Sequence, residues 1–298
     1  MVNSYDKDKI KKIAHNTRKL VLGLTIEKNG CYLSQTLSAA DIFASLYNGI
    51  MNIGESKGKM IPDVIKGLPG DNDYITGGVY NGEKNSQYDR LFISPSHYAA
   101  LVYANLVSCG RLSEEALNTF NTDGSTVEMI GAEHSPGFEL TTGSFGQCIS
   151  QAAGIAYARK MRKDKGKCYV FLSDGELQEG QTWEALEVIN FYKLDNMRIF
   201  VDVNGQQVDG ATKDVMDIEP LNKKFEAFGA KVVVIDGHNI DELCQVEKHF
   251  EEGKLLVVLC YTNSCQGLEL LESRKPKLHY VRFTAEELPK YKELYEKM

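Results

Sequence analysis

Apolar residues repeat at helical spacing through the first half of this chain and gather into short continuous runs in the second half. In residues 4 to 28, Ile10, Ile13, Leu20, Val21 and Leu24 share one face and lysines 7, 9, 11 and 12 the other, which predicts an amphipathic helix with a solvated basic side. In residues 37 to 51, Ile42, Leu46 and Ile50 keep the same spacing, and Ser38 with Asp41 reads as a capping-box start. The stretch 29–35 between them is a loop. Further on, 89–94 predicts a short strand, 99–109 a helix and 113–120 a short helix. A helix from about residue 147 to 165 carries small residues Ala152, Ala153, Gly154 and Ala156 along one side. His97 falls at a strand-to-helix junction, a position that suits a cleft-facing group or a satisfied structural histidine equally.

The continuous runs are 168–173, the segment ending at Asn204, 231–236 (KVVVID) and 255–261 (LLVVLCY), with a helix-like stretch 240–250 between the last two. Val/Ile/Leu runs that alternate with helices are what a parallel sheet covered on both faces requires. The expected fold is α/β: one doubly wound, mostly parallel sheet with helices on both faces, in a single domain over 1–298. The glycine-rich, aperiodic stretch 54–88 reads as a polar surface insert rather than an ordered functional loop. Residues 284–298 read as a charged terminal helix opened by a Thr284/Glu287 box.

Composition narrows the class. A hydrophobic content of 43% over 298 residues supports a substantial core. The formal charge of -7 argues against a nucleic-acid binder that works by neutralising phosphates. The longest apolar run is far shorter than the roughly 20 residues that cross a bilayer, so no membrane association and a cytoplasmic location are expected. Seven cysteines without a C-x-x-C pair read as reduced, mostly buried thiols.

The chemistry concentrates in residues 168–210, a strand, acidic loop, helix, strand and amide loop. In a parallel βαβ unit both loops leave the same edge of the sheet, where open α/β sheets bind ligands, so Asp174 and Asn204 are expected to meet at one hard cation. Two side-chain oxygens and a backbone carbonyl leave positions open for phosphate oxygens, the usual way magnesium is held. Amides of Gly175 and of the Gly143 loop would cradle a diphosphate.

The stretch Ser173–Leu186 (SDGELQEGQTWEAL) followed by Asp202–Gly210 (DVNGQQVDG) closely resembles the thiamine-diphosphate motif of transketolases. Further segments fall in that family's order: LSAADI at 37–42, Asp89-Arg90 with Ser96-His97, PGFELTTG at 136–143, and Asp236-Gly237-His238-Asn239. The resemblance implies the thiamine-diphosphate-binding fold of the diphosphate-domain type. It implies Mg2+, with Ca2+ or Mn2+ as substitutes, on Asp174, Asn204 and the main-chain carbonyl of Gln206. Gly175, His97 and His279 would approach the diphosphate, and Gly143 and Phe145 would border the rings. Glu179 resembles the carboxylate that faces its symmetry mate across the family's subunit interface. His97, Glu179 and His279 are therefore the candidate catalytic residues; an ordinary loop histidine, a core phenylalanine and a helix N-terminal charge remain the plainer readings of His279, Phe145 and Glu179.

Transketolases also use a pyrimidine-binding domain whose glutamate activates the cofactor, and this sequence contains no counterpart. The expectation is the N-terminal subunit of a split transketolase, completed by a separate C-terminal subunit in a heterotetramer of two plus two, moving a two-carbon ketol unit between sugars or sugar phosphates. Two family histidines that touch the sugar are replaced, one by Tyr32 and one by Glu133, and neither side chain matches imidazole in polarity or proton donation. Alternatives are a thiamine-dependent enzyme acting on a 2-oxo acid or an unusual ketose, and a non-catalytic scaffold or regulatory chain.

Overall fold

A computed structural model describes residues 4–65 and 76–298. The apolar runs form one five-stranded sheet, parallel throughout, in the order β1-β2-β3-β7-β6. Its strands are β1 (Arg90–Ile93), β2 (Cys168–Ser173), β3 (Met197–Val203), β6 (Lys231–Asp236) and β7 (Leu256–Tyr261). A small hairpin, β4 (Gln206–Gln207) with β5 (Gly210–Ala211), follows β3.

Because successive strand side chains point to opposite faces, the runs divide into two cores. Leu91, Ile93, Tyr169, Phe171, Phe200 and Val258 pack with α1 (Lys7–Lys28), α2 (Leu33–Ser45), α3 (Ala99–Ser108) and α8 (Ile240–Cys244). Phe92, Val170, Leu172, Ile199, Val201 and Val257 pack with α4 (Gln147–Arg162), α5 (Gly180–Phe191) and α7 (Leu221–Ala227). Burial on both faces is why β1, β2, β3 and β7 read as unbroken apolar runs; the edge strand β6 is half-exposed, with Val234 54% exposed. The short α6 (Thr212–Val215) leaves the hairpin, and α9 (Leu288–Lys297) lies against α1, with Tyr291 buried. The Thr284/Glu287 box before α9 forms: Thr284 N–H donates to Glu287 Oε2 (2.9 Å) and Glu287 N–H to Thr284 Oγ1 (3.2 Å).

Four local expectations are corrected. The second helix starts at Leu33, so Ser38 and Asp41 lie inside it and cap nothing. Both are buried: Ser38 Oγ donates to Asp202 Oδ2 (2.6 Å), and Asp41 pairs with Arg18 of α1 and with His238 Nδ1 (2.8 Å). The stretch 54–88 is not wholly a surface insert: residues 55, 57, 59–61 and 63–64 are exposed, but Tyr80 and Asn81 are each 4% exposed and Arg111 donates to the carbonyls of Tyr80 and Gly54; residues 66–75 lie outside the described residues. On α4 the alanines are buried, but Gly154 faces open space. The helix expected over 240–250 tightens into a 3-10 turn at Val246–His249, where Glu247 forms a bidentate pair with buried Arg198 of β3 (2.8 and 3.0 Å). All seven cysteines are free, and among the described residues no helix is long and apolar enough to cross a membrane.

Candidate functional site

The parallel register places the ends of β2 and β3 side by side, Ser173 opposite Asp202. Asp174 continues the ladder, its N–H donating to the Asp202 carbonyl (3.1 Å). Its carboxylate is 2% exposed and takes three donors: Gly175 N–H (2.8 Å) on Oδ1, and Gly205 N–H (2.9 Å) and Thr212 Oγ1 (3.1 Å) on Oδ2. The two loops that the sequence assigns to one cation are thus hydrogen-bonded to each other. Burial and the neighbouring Asp202 charge push the Asp174 carboxyl up to about 7, against the pull of those donors. A cation beside it would keep it ionised.

Asn204 Oδ1 accepts from Gln206 N–H (2.9 Å), while Nδ2 donates to Asp202 Oδ2 (2.9 Å) and Tyr98 OH (3.1 Å). Gln206 Oε1 is buried without a partner among the described residues. The local oxygens are therefore a desolvated carboxylate and amide carbonyls. Among the described residues no three His, Cys, Asp or Glu side chains converge as a metal cluster. Such a donor set fits a hard cation of the Mg2+ or Ca2+ kind, not a thiophilic metal. A cleft of about 390 Å³ opens here, with Lys213, Glu219 and Tyr261 among the residues lining it.

A second cluster is aromatic and uncharged. Ring centroids of His97 and His279 lie 5.0 Å apart, and Tyr32 packs against His97 (5.1 Å), His279 (5.3 Å, edge-on) and Tyr280 (5.1 Å). Phe145 stands 5.8 Å from His97. Burial, then the adjacent His279, lowers His97 to about 3. Burial also lowers His279, against the opposing charge of Asp209. Both imidazoles are neutral at pH 7. Gln35 Nε2 donates to His279 Nδ1 (3.1 Å) and to its carbonyl (3.0 Å), which leaves the ring proton on Nε2. The Tyr32 loop and the 278–282 segment are held together by paired backbone bonds between Cys31 and Val281 (3.1 and 2.9 Å).

The Gly143 loop is tied to the end of β1. Thr142 Oγ1 donates to the Ile93 carbonyl (2.7 Å) at the end of β1. Gly143 has φ +103°, and a Cβ there would sit 2.4 Å from Ser96 Oγ, so both backbone and space require glycine. Gly146 N–H donates to Glu176 Oε1 (2.8 Å), which also accepts from Ser94 Oγ. Burial pushes the Glu176 carboxyl up to about 7.

Two sequence candidates stand apart from these clusters. Glu179 is exposed at the head of α5. Glu133 is half-buried, with its backbone tied to Thr141 Oγ1 (3.3 Å) and Gly77 N–H (2.6 Å). Sequence reasoning missed Gln35, Ser38, Tyr98, Asp202 and Thr212. Only Asp202 carried a legible signal, an acidic residue inside an otherwise apolar strand.

A parallel sheet that brings an aspartate loop and an asparagine loop together outside the carboxyl ends of its strands is an open α/β architecture, with its candidate ligand site at that edge. Comparison with known proteins is specific. Residues 80–267 match the family described as transketolase, thiamine diphosphate binding domain. A transketolase family protein of Sinorhizobium fredii is 38% identical over 203 residues, 67% of this chain and 72% of that protein. An apulose-4-phosphate transketolase subunit from Actinobacillus succinogenes is 36% identical over 198 residues, 66% of this chain and 71% of that protein. Transketolase from Campylobacter jejuni shares the fold, with a TM-score of 0.78 and 24% identity over 98% of this chain; the chain spans 43% of that structure. The chain belongs to the transketolase family.

Proposed function

We propose that this chain is the diphosphate-holding, N-terminal subunit of a two-chain transketolase. It binds thiamine diphosphate through Mg2+ and, with a separate subunit carrying the pyrimidine-binding domain, transfers a two-carbon ketol unit from a ketose to an aldose. The observation that carries this reading is the bond from Gly205 N–H to Asp174 Oδ2 (2.9 Å), which joins the two motif loops at one point. Relatives support a role as one chain of a pair by their names: the Actinobacillus protein, and a 6-deoxy-6-sulfo-D-fructose transketolase subunit of Clostridium sp. that is 35% identical over 201 residues.

When bound, thiamine diphosphate supplies the nucleophilic carbon that cleaves and carries the two-carbon unit. Asp174, Asn204 and the Gln206 carbonyl would hold the ion, and Gly175, whose own N–H is taken by Asp174 Oδ1, would let the backbone come close to the diphosphate. His97 and His279, neutral and desolvated, orient phosphate oxygens by hydrogen bonding rather than by charge. Gly143 and Phe145 line the ring side and help exclude water. Tyr32 and Glu133 stand for the substrate-side imidazoles, which favours a ketose other than the usual sugar phosphates.

A pair-of-pairs assembly is supported by the outer face of α4 and α5. Met161 (67% exposed), Val188 (50%) and Phe191 (78%) surround the Tyr157–Tyr192 ring contact at 4.8 Å. Glu179 is exposed at the head of α5, where the family resemblance has it face its symmetry mate across a two-fold axis. The experiment that tests the function is ketol transfer by this chain co-purified with its partner subunit, with Asp174→Ala as control. Activity in the wild type and none in the variant is expected; turnover unaffected by the substitution would remove the assignment of Asp174 to the ion.

A further inference from the structure

Asp202 belongs to no motif role assigned above, yet it is the most heavily hydrogen-bonded carboxylate beside the site. It is 0% exposed. Oδ2 accepts from Ser38 Oγ of α2 (2.6 Å), Tyr98 OH (2.8 Å) and Asn204 Nδ2 (2.9 Å), and Oδ1 accepts from Thr262 Oγ1 (2.5 Å). Four donors from four separate segments meet on one side chain.

An asparagine amide can point either end toward a ligand, and only oxygen can bind a cation. The carboxylate of Asp202 decides between the two ends, because a flipped amide would set Asn204 Oδ1 against an anionic acceptor. Tyr98 reinforces the choice: its hydroxyl spends its proton on Asp202 and accepts from Nδ2 (3.1 Å). With Nδ2 committed on both protons, Oδ1 is left to Gln206 N–H and to whatever occupies the ion site. We infer that Asp202 is a positioning residue that fixes the amide of Asn204 with its oxygen toward the ion site, an inference that rests on the ion-binding reading of the Asp174/Asn204 loops. Partners that orient a ligand typically change metal affinity 10- to 100-fold when removed.

The test is Mn2+ uptake, followed by the loss of the free-ion electron paramagnetic resonance signal, in the reconstituted complex with thiamine diphosphate. Asp202→Asn is expected to raise the half-saturating Mn2+ concentration by about 10- to 100-fold. Thr262→Val removes a donor from the other carboxylate oxygen without touching Asn204, and is expected to stay within about threefold of wild type while losing thermal stability. Equal shifts in the two variants, or none in Asp202→Asn, would overturn the inference and leave ion binding itself intact. A wild type that takes up no Mn2+ would overturn the ion-binding reading and this inference with it. Should Asp202→Asn fail to fold, the wild type carries the test. Its Asn204 side-chain amide protons, assigned by their loss in Asn204→Asp, should exchange with solvent at least about tenfold slower than exposed side-chain amides. Exchange as fast as those would overturn the inference.

Discussion

His97 and His279, far apart in the sequence, stand with their rings 5.0 Å apart and both uncharged at pH 7. In the proposed role beside the diphosphate they would act by directional hydrogen bonding rather than by charge. His97→Ala should weaken thiamine diphosphate binding by about 10- to 100-fold, since a hydrogen bond to a charged group is worth ~1.5–3 kcal/mol. Calorimetric titration of the reconstituted complex checks this, and the loss should persist at high salt because no imidazolium is removed.

Tyr32 packs against both imidazoles, at the position where the family resemblance expects a third. Tyr32→His should change the ratio of kcat/KM between two ketose donors by at least about tenfold, the scale of a pocket-wall change. Cofactor affinity should stay within about threefold. Steady-state kinetics on paired donors measures the first, and calorimetry the second.

The fold was legible because its central strands are buried on both faces: Val170, Val201 and Val257 have no solvent side to leave a polar signature. Asp174 and Asn204 were legible because each ends an apolar run with an oxygen-bearing side chain. Ser38 and Asp41 misled for a physical reason. An acidic residue three positions after serine looks like a cap, but here both side chains bond to residues far along the chain, Asp202 and His238. Gln35 and Tyr98 could not be read as site residues either, since their partners come from segments joined only by tertiary contacts such as the Cys31–Val281 bridge. The 54–88 stretch looked like an insert because burial of Tyr80 and Asn81 leaves no period in such a short span.

Glu247 gives a stability prediction away from the site. Burial alone would raise its pKa, but Arg198 and Lys167 override this and hold it at about 2. A depressed carboxylate stabilises the fold above its unfolded value of about 4.5 and loses that contribution as pH falls toward 2. Glu247→Gln should thus cost about 1–3 kcal/mol at pH 7, discounted from the usual loss for a broken buried pair because the side chain is partly exposed. The gap between wild type and variant should shrink as pH falls from 4.5 toward 2. Denaturant unfolding across that range is the measurement, and the difference between the two proteins cancels the opposing contributions of Asp174 and Glu176, whose values are raised.

Phe191, 78% exposed beside Tyr192, marks the face assigned to self-association. Phe191→Lys should halve the particle mass seen by light scattering, because a charge at the centre of an apolar contact is left unpaired. Helix α5 should be unaffected, as the side chain touches no core.

The central claim is that the Asp174 and Asn204 loops hold one cation and, through it, the diphosphate. Thiamine diphosphate titrated into the complex of this chain with its partner, in the presence of Mg2+, should give a saturable heat that disappears on chelation and in Asp174→Ala. A wild-type complex with no heat of binding, or an Asp174→Ala complex that binds as tightly as wild type, would contradict it.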